Sequence, residues 1–492
     1  MNTPCILALL CMLVGQALVA QDPWHVAVPP PHNFDRARAQ RDALEHLKHL
    51  IGLDTQNPPG NEIRTAAYLD SVLRPLPGFE THVIDPGDGR ANFIARLRAT
   101  RPTSRPVLIM GHMDVVGADP AKWTTPPFQP TERDGYLYGR GAIDDKGMLA
   151  ATVAVLLQLA PQRDRLDRDI ILLGTAAEEG GDQGIDRVIE RHFHLIKDAE
   201  FALNEGGRIR IHRGRVQSVN IQVTEKLSYT VTATGRGPSG HGSVPISDNA
   251  LAALARALTR VHDARLPAQL NATTREYFRR LATIEEDPAM KRAMETLARA
   301  RGVRESGKAP ESPDEKAIQA AARLLSRDPL HNAVLRTGVS LTILSGGFRA
   351  NVIPSEGQAT LNVRTLPDGD ILADVATLNR IGGENSVTFA LQGAPRKAPQ
   401  ASPITSPLFI AMETAARIMA PGAATIPFMS AGATDGAVLR ANGIPTYGIL
   451  PMPLPLEDEL RMHGDDERVP VPALGWAAEY LFRVLTLVSI GA

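Results

Sequence analysis

The stretch DIILLGTAAEEGGD, residues 169–182, sets an apolar run directly against two adjacent glutamates, Glu178 and Glu179. The run reads as a buried strand. Buried strands do not end in paired acids without a reason, because adjacent carboxylates repel and an unpartnered one is costly to enclose. On extended backbone neighbouring side chains point apart. The two glutamates are therefore expected to see different surroundings, one binding a metal ion while the other stands free to move a proton.

Similar runs lie on either side. ANFIARL (91–97) and RPVLIMGHMDVV (105–116) read as strands, and MLAATVAVLLQLA (148–160) as a buried helix. A helix through GIDRVIERH (184–192) and a strand AEFALNEGG (199–207) follow. Helices are also predicted in 35–53 and 63–76, separated by the loop DTQNPPGNE (54–62). Strands alternating with helices predict an α/β layer fold with a mostly parallel central sheet. Near residue 227 the pattern changes. SYTVTATG (228–235) and VSLTILSGG (339–347) alternate as half-exposed antiparallel strands do, around the amphipathic helix DNALAALARALTRVHDA (248–264). The polar stretch 300–317 reads as an exposed connection between helices. The α/β pattern resumes with a helix at 406–419, a strand at 446–451 and a closing helix from Pro472. The expected organisation is a first catalytic part at 34–226, an inserted antiparallel α+β lid and dimerisation domain at 227–394, and a second catalytic part at 395–492.

A chain of 492 residues is long for one core, and 43% hydrophobic with 22% charged residues is ordinary for a soluble protein. A net charge of −1 offers no basic field for nucleic acid or an anionic membrane. Residues 4–20, PCILALLCMLVGQALVA, resemble a secretory signal peptide ending near Ala20, so residues 1–20 are expected to be a leader and the protein secreted or periplasmic, without membrane insertion of the mature chain. An anchoring helix is the alternative reading of this run. Both cysteines, Cys5 and Cys11, fall in it. A metal in the mature chain must then be held by His, Asp and Glu.

Suitable donors recur at strand ends. His112 and Asp114 sit at i, i+2 and so face one side of a strand. That suits a His ligand supported by a carboxylate, although a structural His explains it as well. Asp144 and Asp145 in GAIDDKG resemble an N-cap pair. Glu205 ends another strand, and His463 lies in a loop before the last helix. Each alone is an ordinary surface or capping residue. Together, His112, Asp144, Glu179, Glu205 and His463 are N and O donors, mostly at the carboxyl ends of the expected sheet strands, where open α/β sheets build sites. Two His and three carboxylates suit two Zn²⁺ ions with one carboxylate bridging.

These motifs resemble those of the di-zinc metallopeptidase family that includes carboxypeptidase G, carboxypeptidase S, aminoacylase, carnosinase and succinyl-diaminopimelate desuccinylase. The likeness runs through DTQNPPGNE, GHMDVV, GRGAIDDKG, TAAEEGG, NEGG, GPSGHGSVP, FRANVIP, LNVRTLPDGD, GATDGAVLRANGIP and MHGDDERV, in the family's order. The long insertion is most similar to the carboxypeptidase S and aminoacylase branch. The resemblance implies that Asp144 bridges two metals, with His112 and Glu205 completing one site and Glu179 and His463 the other. It implies Glu178 as general base on a water between the metals, Asp114 as support for His112, and a cis Asp144–Asp145 bond. His241 is implied to polarise the scissile carbonyl, often across a dimer interface. Asn351 and Arg364 are implied to contact the substrate, Arg364 through a carboxylate. Thr434 and Asp435 are implied to wall the substrate site, with no chemistry assigned.

The implied activity is metal-dependent hydrolysis of C-terminal peptide or N-acyl-amino-acid amide bonds by a homodimer with two Zn²⁺, Co²⁺ or Mn²⁺ substituting. An aminoacylase or an N-acyl-amino-acid synthase/hydrolase uses the same machinery. The rival outside enzymology is a metal-dependent binding protein that clamps a peptide or amino acid.

Overall fold

The run after Asp169 forms the strand Ile170–Thr175, buried along its whole length, in a computed structural model that describes residues 22–181, 183–301 and 312–490. The expected leader, and the middle of the connection expected at 300–317, lie outside these residues. Ile170–Thr175 belongs to an eight-stranded sheet. From edge to edge its order is Ala424–Ser430, Arg215–Glu225, Thr446–Pro455, Phe201–His212, Val107–His112, Ile170–Thr175, Asn92–Leu97 and Phe79–Ile84. Thr446–Pro455, Phe201–His212, Val107–His112 and Ile170–Thr175 run parallel to their neighbours in this sequence. Antiparallel strands extend the sheet beyond Ile170–Thr175.

Strand periodicity divides the apolar residues between two faces. Val107, Ile109, Ile170 and Leu172 join the larger core, built with the helices Arg36–Gly52, Lys146–Leu159, Pro407–Met419 and Val471–Ser489. Leu108, Met110, Ile171 and Leu173 face the opposite layer, with Ile185, Val188 and Leu439. The result is the three-layer α/β arrangement that the pattern predicts. Val471–Ser489 is long and apolar enough to cross a membrane, but here it is a core helix, with Trp476, Tyr480 and Phe482 fully covered.

A second, antiparallel sheet is ordered Gly338–Gly346, Glu356–Thr365, Leu227–Arg236, Val387–Leu391. The helices Ala250–Asp263 and Ile371–Gly382 cover one of its faces with a separate core. The helices between residues 272 and 335 build a third core that takes in Ile426 and Met429 of the central sheet's edge strand. Several of these helices start sharply because an Asp or Ser cap is followed by proline, as at Asp287–Pro288, Ser312–Pro313 and Asp328–Pro329.

Three strands of the central sheet, Phe79–Ile84, Ala424–Ser430 and Arg215–Glu225, escape the sequence reading. Ala424–Ser430 contains Pro427, which argues against a central strand, and it is indeed an edge strand. Arg215–Glu225 alternates polar residues that are nevertheless buried, among them Asn220, Gln222 and Thr224. The helix expected at 184–192 is only the turn Ile185–Arg187 running into the π-helical turn Val188–His192.

Candidate metal centre and substrate cleft

The parallel strands deliver their carboxyl ends to one edge of the sheet. His112 closes Val107–His112, Glu178 and Glu179 follow Ile170–Thr175, and Glu205 lies two residues past the paired Ile109↔Leu203. Gly111 is required there, because a Cβ on it would stand 2.6 Å from Asp145 Oδ2. The Asp144–Asp145 peptide is cis, as the resemblance implies.

The turn bearing the two glutamates is held from outside. Ala177 sits at φ 57, a left-handed conformation costing an L-residue about 1–2 kcal/mol. Hydrogen bonds offset that cost. Ala177 N–H donates to Glu62 Oε1 at 3.3 Å, Glu178 N–H to Asp114 Oδ1 at 3.1 Å and Glu179 N–H to Asp114 Oδ2 at 3.1 Å. Asn57 Nδ2 donates to the same Asp114 Oδ2 at 2.8 Å, and Arg90 donates in turn to Asn57 Oδ1 at 2.7 Å. Asp114 also stands against His112, through both its backbone and its carboxylate. His112 Nδ1 bonds the backbone carbonyl of Asp114 at 2.9 Å, while the carboxylate lies 3.6 Å away and clamps the glutamate turn. A carbonyl only accepts, so Nδ1 carries a proton and Nε2 is the nitrogen turned toward the cluster.

Asp144 lies between the two histidines. Its Oδ1 is 2.8 Å from His112 Nε2 and its Oδ2 is 3.1 Å from His463 Nε2, which is also 3.0 Å from Glu179 Oε1. One ligand atom each from Asp144, Glu179 and His463 fits within 4.8 Å, and so does one each from His112, Glu178 and Glu179. Glu205 falls outside both groups. It is enclosed, and burial followed by the Asp144 charge pushes its pKa up to about 8. Burial, with Asp435, Glu205 and Glu179 close by, pushes Glu178 up to about 10. His463 is raised to about 10 by its contacts with Asp144 and Glu179. Glu179 Oε1 is buried without a well-formed hydrogen bond. Enclosed carboxylates in excess of cations, all offering N and O donors, fit a pair of divalent cations.

The cluster opens on a cleft of about 630 Å³. Asp144, Glu178, Glu179, Glu205 and His463 line it, and so does Arg364, whose Nη1 has no hydrogen-bond partner. His241 and Asn351 are not brought into this chain's cleft. They share a short ribbon, Gly240–His241 against Val352–Ile353, where Gly242 N–H donates to Asn351 O at 2.8 Å and His241 Nδ1 is 2.7 Å from Ser243 Oγ.

Thr434 and Asp435 line the cleft as the resemblance implies, whereas Arg208, Arg396 and Glu467 were not singled out from sequence. Arg208 and Arg396 line the cleft, Arg396 lying over the Tyr229 ring at 5.2 Å. Thr434 and Asp435 line it too, fixed by the buried Glu225, which accepts from Thr434 N–H at 2.9 Å and from Arg440 Nη2 at 2.7 Å. Glu467 matters most to the geometry. Its carboxylate accepts from the N–H groups of Gly141 (3.0 Å), Ile143 (2.7 Å) and Asp144 (3.2 Å) and from Arg140 Nη1 (2.7 Å). It pins the loop carrying Asp144, four residues after His463; within MHGDDERV the signal was its place in the motif. Replacing it leaves Arg140 buried and unpaired. Glu467→Ala is expected to lower unfolding free energy by about 3–5 kcal/mol, read by denaturant titration; a loss below about 1 kcal/mol would show that the loop holds itself.

The sequence profile of Peptidase family M20/M25/M40 matches residues 108–487. The chain belongs to that family. It is a metallo-hydrolase, as the ordered motifs imply, and the reading as a non-catalytic binding protein falls away. The N-fatty-acyl-amino acid synthase/hydrolase PM20D1 of Homo sapiens is 27% identical to it over 510 residues, covering 98% of this chain and 96% of that protein. The fold is similar to that of the M20 family metallo-carboxypeptidase Sso-CP2 from Sulfolobus solfataricus, with TM-score 0.65 at 19% identity over 91% of this chain and 99% of that one. It is also similar to the YXEP protein of Bacillus subtilis, a dinuclear metal-binding peptidase of the same family, with TM-score 0.55 at 15% identity over 92% and 99%.

Proposed function

We propose that this hydrolase cleaves the amide bond joining an acyl group to an amino acid whose α-carboxylate is free. One observation carries the reading: the acidic cluster and the guanidinium groups of Arg364 and Arg396 line a single cleft. A planar guanidinium matches a carboxylate. N-acyl amino acids and C-terminal peptide bonds both carry that carboxylate beside the scissile amide. The full-length likeness to an N-fatty-acyl-amino acid synthase/hydrolase favours the acyl substrate, and the same machinery run in reverse condenses the two products.

In this reading His112, Asp144 and Glu205 hold one zinc ion and Asp144, Glu179 and His463 the other, with cobalt or manganese able to substitute. When bound, the cations supply Lewis-acid polarisation of the carbonyl and acidify the attacking water toward neutral pH. Glu178 accepts that water's proton and delivers it to the leaving amine. Asp114 holds Glu178 and Glu179 in register through their N–H groups. Arg364 and Asn351 hold the departing carboxylate.

His241 and Asn351 act in this scheme on the cleft of a second copy. A homodimer is supported by the edge strand Gly338–Gly346, on which Leu341 (50%), Ile343 (60%) and Leu344 (64%) are exposed beside Phe348 (77%). Mixing His241→Ala and Glu178→Gln subunits should restore activity that neither variant has alone; no recovery would put the site within one chain. The leader at 1–20 is proposed to send the chain to the periplasm or medium, and the intact mass of the exported protein should begin just after it.

The test of substrate class is a panel of N-acyl amino acids and dipeptides, assayed with metal and after chelation. Chelator-sensitive cleavage is expected, and cleavage of neither class would sink the proposal. Arg364→Ala should raise KM about 10- to 100-fold for substrates with a free α-carboxylate, while their carboxamide analogues change little.

A further inference from the structure

Arg90, its side chain 13% exposed, has no part in the scheme above, yet it touches two of the groups that shape the glutamate turn. That turn depends on help from outside. Ala177 stands before the two glutamates at φ 57, and Gly180 and Gly181 follow them, where the lack of a Cβ leaves the backbone free to take other paths. Four backbone groups are held by side chains. Glu62 accepts from Ala177 N–H, Asp114 accepts from the N–H groups of Glu178 and Glu179, and Asn57 Nδ2 donates to Gly180 O as well as to Asp114 Oδ2. Arg90 joins two of these holders. Its Nη1 donates to Glu62 Oε1 at 3.2 Å and its Nη2 to Asn57 Oδ1 at 2.7 Å. The loop before it fixes its own place, with Arg90 N–H donating to Asp88 Oδ1 and Ile63 N–H to Gly89 O, both at 3.1 Å. Gly60 lies against the guanidinium, where a Cβ would stand 3.0 Å from Arg90 Cζ and 2.7 Å from Glu62 Oε2. Glu62 is fully buried, and Asn57, Glu62 and Arg90 are not among the described residues that line the cleft.

We infer that Arg90 is a positioning residue for Glu178 and Glu179, acting through the Asn57 amide and the Glu62 carboxylate. The inference rests on the roles proposed above for the two glutamates. An amide can face either way round. With Oδ1 of Asn57 on Arg90, which only donates, Nδ2 is left facing Asp114 Oδ2 and Gly180 O, both acceptors. Turned over, the amide would set its oxygen against a carboxylate and its nitrogen against a guanidinium. Arg90 therefore selects the orientation that braces Asp114, whose two oxygens hold Glu178 and Glu179. The second contact does the same for Glu62, the acceptor for Ala177 N–H. A guanidinium suits this task, because its planar fork reaches two acceptors at once and its charge is permanent. The direction in which each glutamate faces the metal cluster is thus set three hydrogen bonds away, outside the cleft.

The experiment compares the wild type, Arg90→Met, Asn57→Ala and the double variant, each loaded with zinc for steady-state kinetics and with cobalt for visible absorption spectra. Arg90→Met is expected to lower kcat about 10- to 100-fold at saturating zinc, to leave KM little changed, and to shift the cobalt spectrum, because Glu179 would meet its ion at a different angle. Asn57→Ala removes no charge and should act in the same direction. The double variant should cost about as much as Arg90→Met alone, since the two changes break one connected network. Wild-type kcat and cobalt spectrum in either single variant, a rise in KM with kcat unchanged, or single losses that multiply in the double variant would overturn the inference. Should Arg90→Met fail to fold, Asn57→Ala decides the matter on the same two readouts. The cobalt spectrum needs no substrate, so failure of the wild type to hydrolyse any N-acyl amino acid counts against the proposed function alone.

Discussion

Glu178→Gln is expected to keep two metal ions per chain while kcat falls about 100- to 10,000-fold. The amide matches the carboxylate in shape, and the hydrogen bond that fixes this position uses the backbone N–H, donated to Asp114 Oδ1. The turn should therefore persist, with Glu179 still facing His463. What the amide cannot do is accept a proton from water and return it to a leaving amine. KM should change little, because no carboxylate-binding group is touched. Elemental analysis beside steady-state kinetics separates this from the other role the geometry allows. An oxygen of Glu178 lies within 4.8 Å of donors from His112 and Glu179. Were Glu178 a ligand, metal content would fall together with turnover.

The second large effect is expected at Asp144. One carboxylate oxygen faces each histidine, at 2.8 and 3.1 Å. Removing it takes a donor from both halves of the cluster at once. Asp144→Ala should lose both metals and all measurable turnover, whereas His463→Ala removes a donor from one half only and should retain part of the metal. Ions that bind only the folded chain stabilise it by mass action, so Asp144→Ala should also lose the rise in Tm that added zinc gives the wild type. Retention of two tightly bound ions in Asp144→Ala would show that Asp144 is not shared.

Much of this was legible from sequence for identifiable reasons. The strand Val107–His112 alternates between two buried faces, and such uninterrupted apolar runs mark a sheet covered on both sides. The donors at the ends of such strands were readable because parallel strands share a carboxyl edge. What escaped depends on tertiary packing. Pro427 hid an edge strand, and buried polar residues hid its neighbour Arg215–Glu225. Asp114 was linked to His112 by spacing, but its carboxylate also serves the glutamate turn, which only the folded register reveals. Arg396 stands on a segment with no motif of its own, and Arg208 lies one residue past NEGG on its strand, where the motif drew attention to Glu205 alone. The separation of His241 and Asn351 from this chain's cleft is likewise a property of the folded ribbon, although the pairing of the two on one ribbon follows from GPSGHGSVP and FRANVIP lying on paired strands.

The most direct test is a zinc back-titration of chelated protein, following hydrolysis of an N-acyl amino acid. Turnover should be absent without metal, rise with added zinc, and reach its plateau only as the second equivalent binds. Full turnover in the metal-free protein would contradict the two-ion reading of the His112, Asp144, Glu179, Glu205 and His463 cluster.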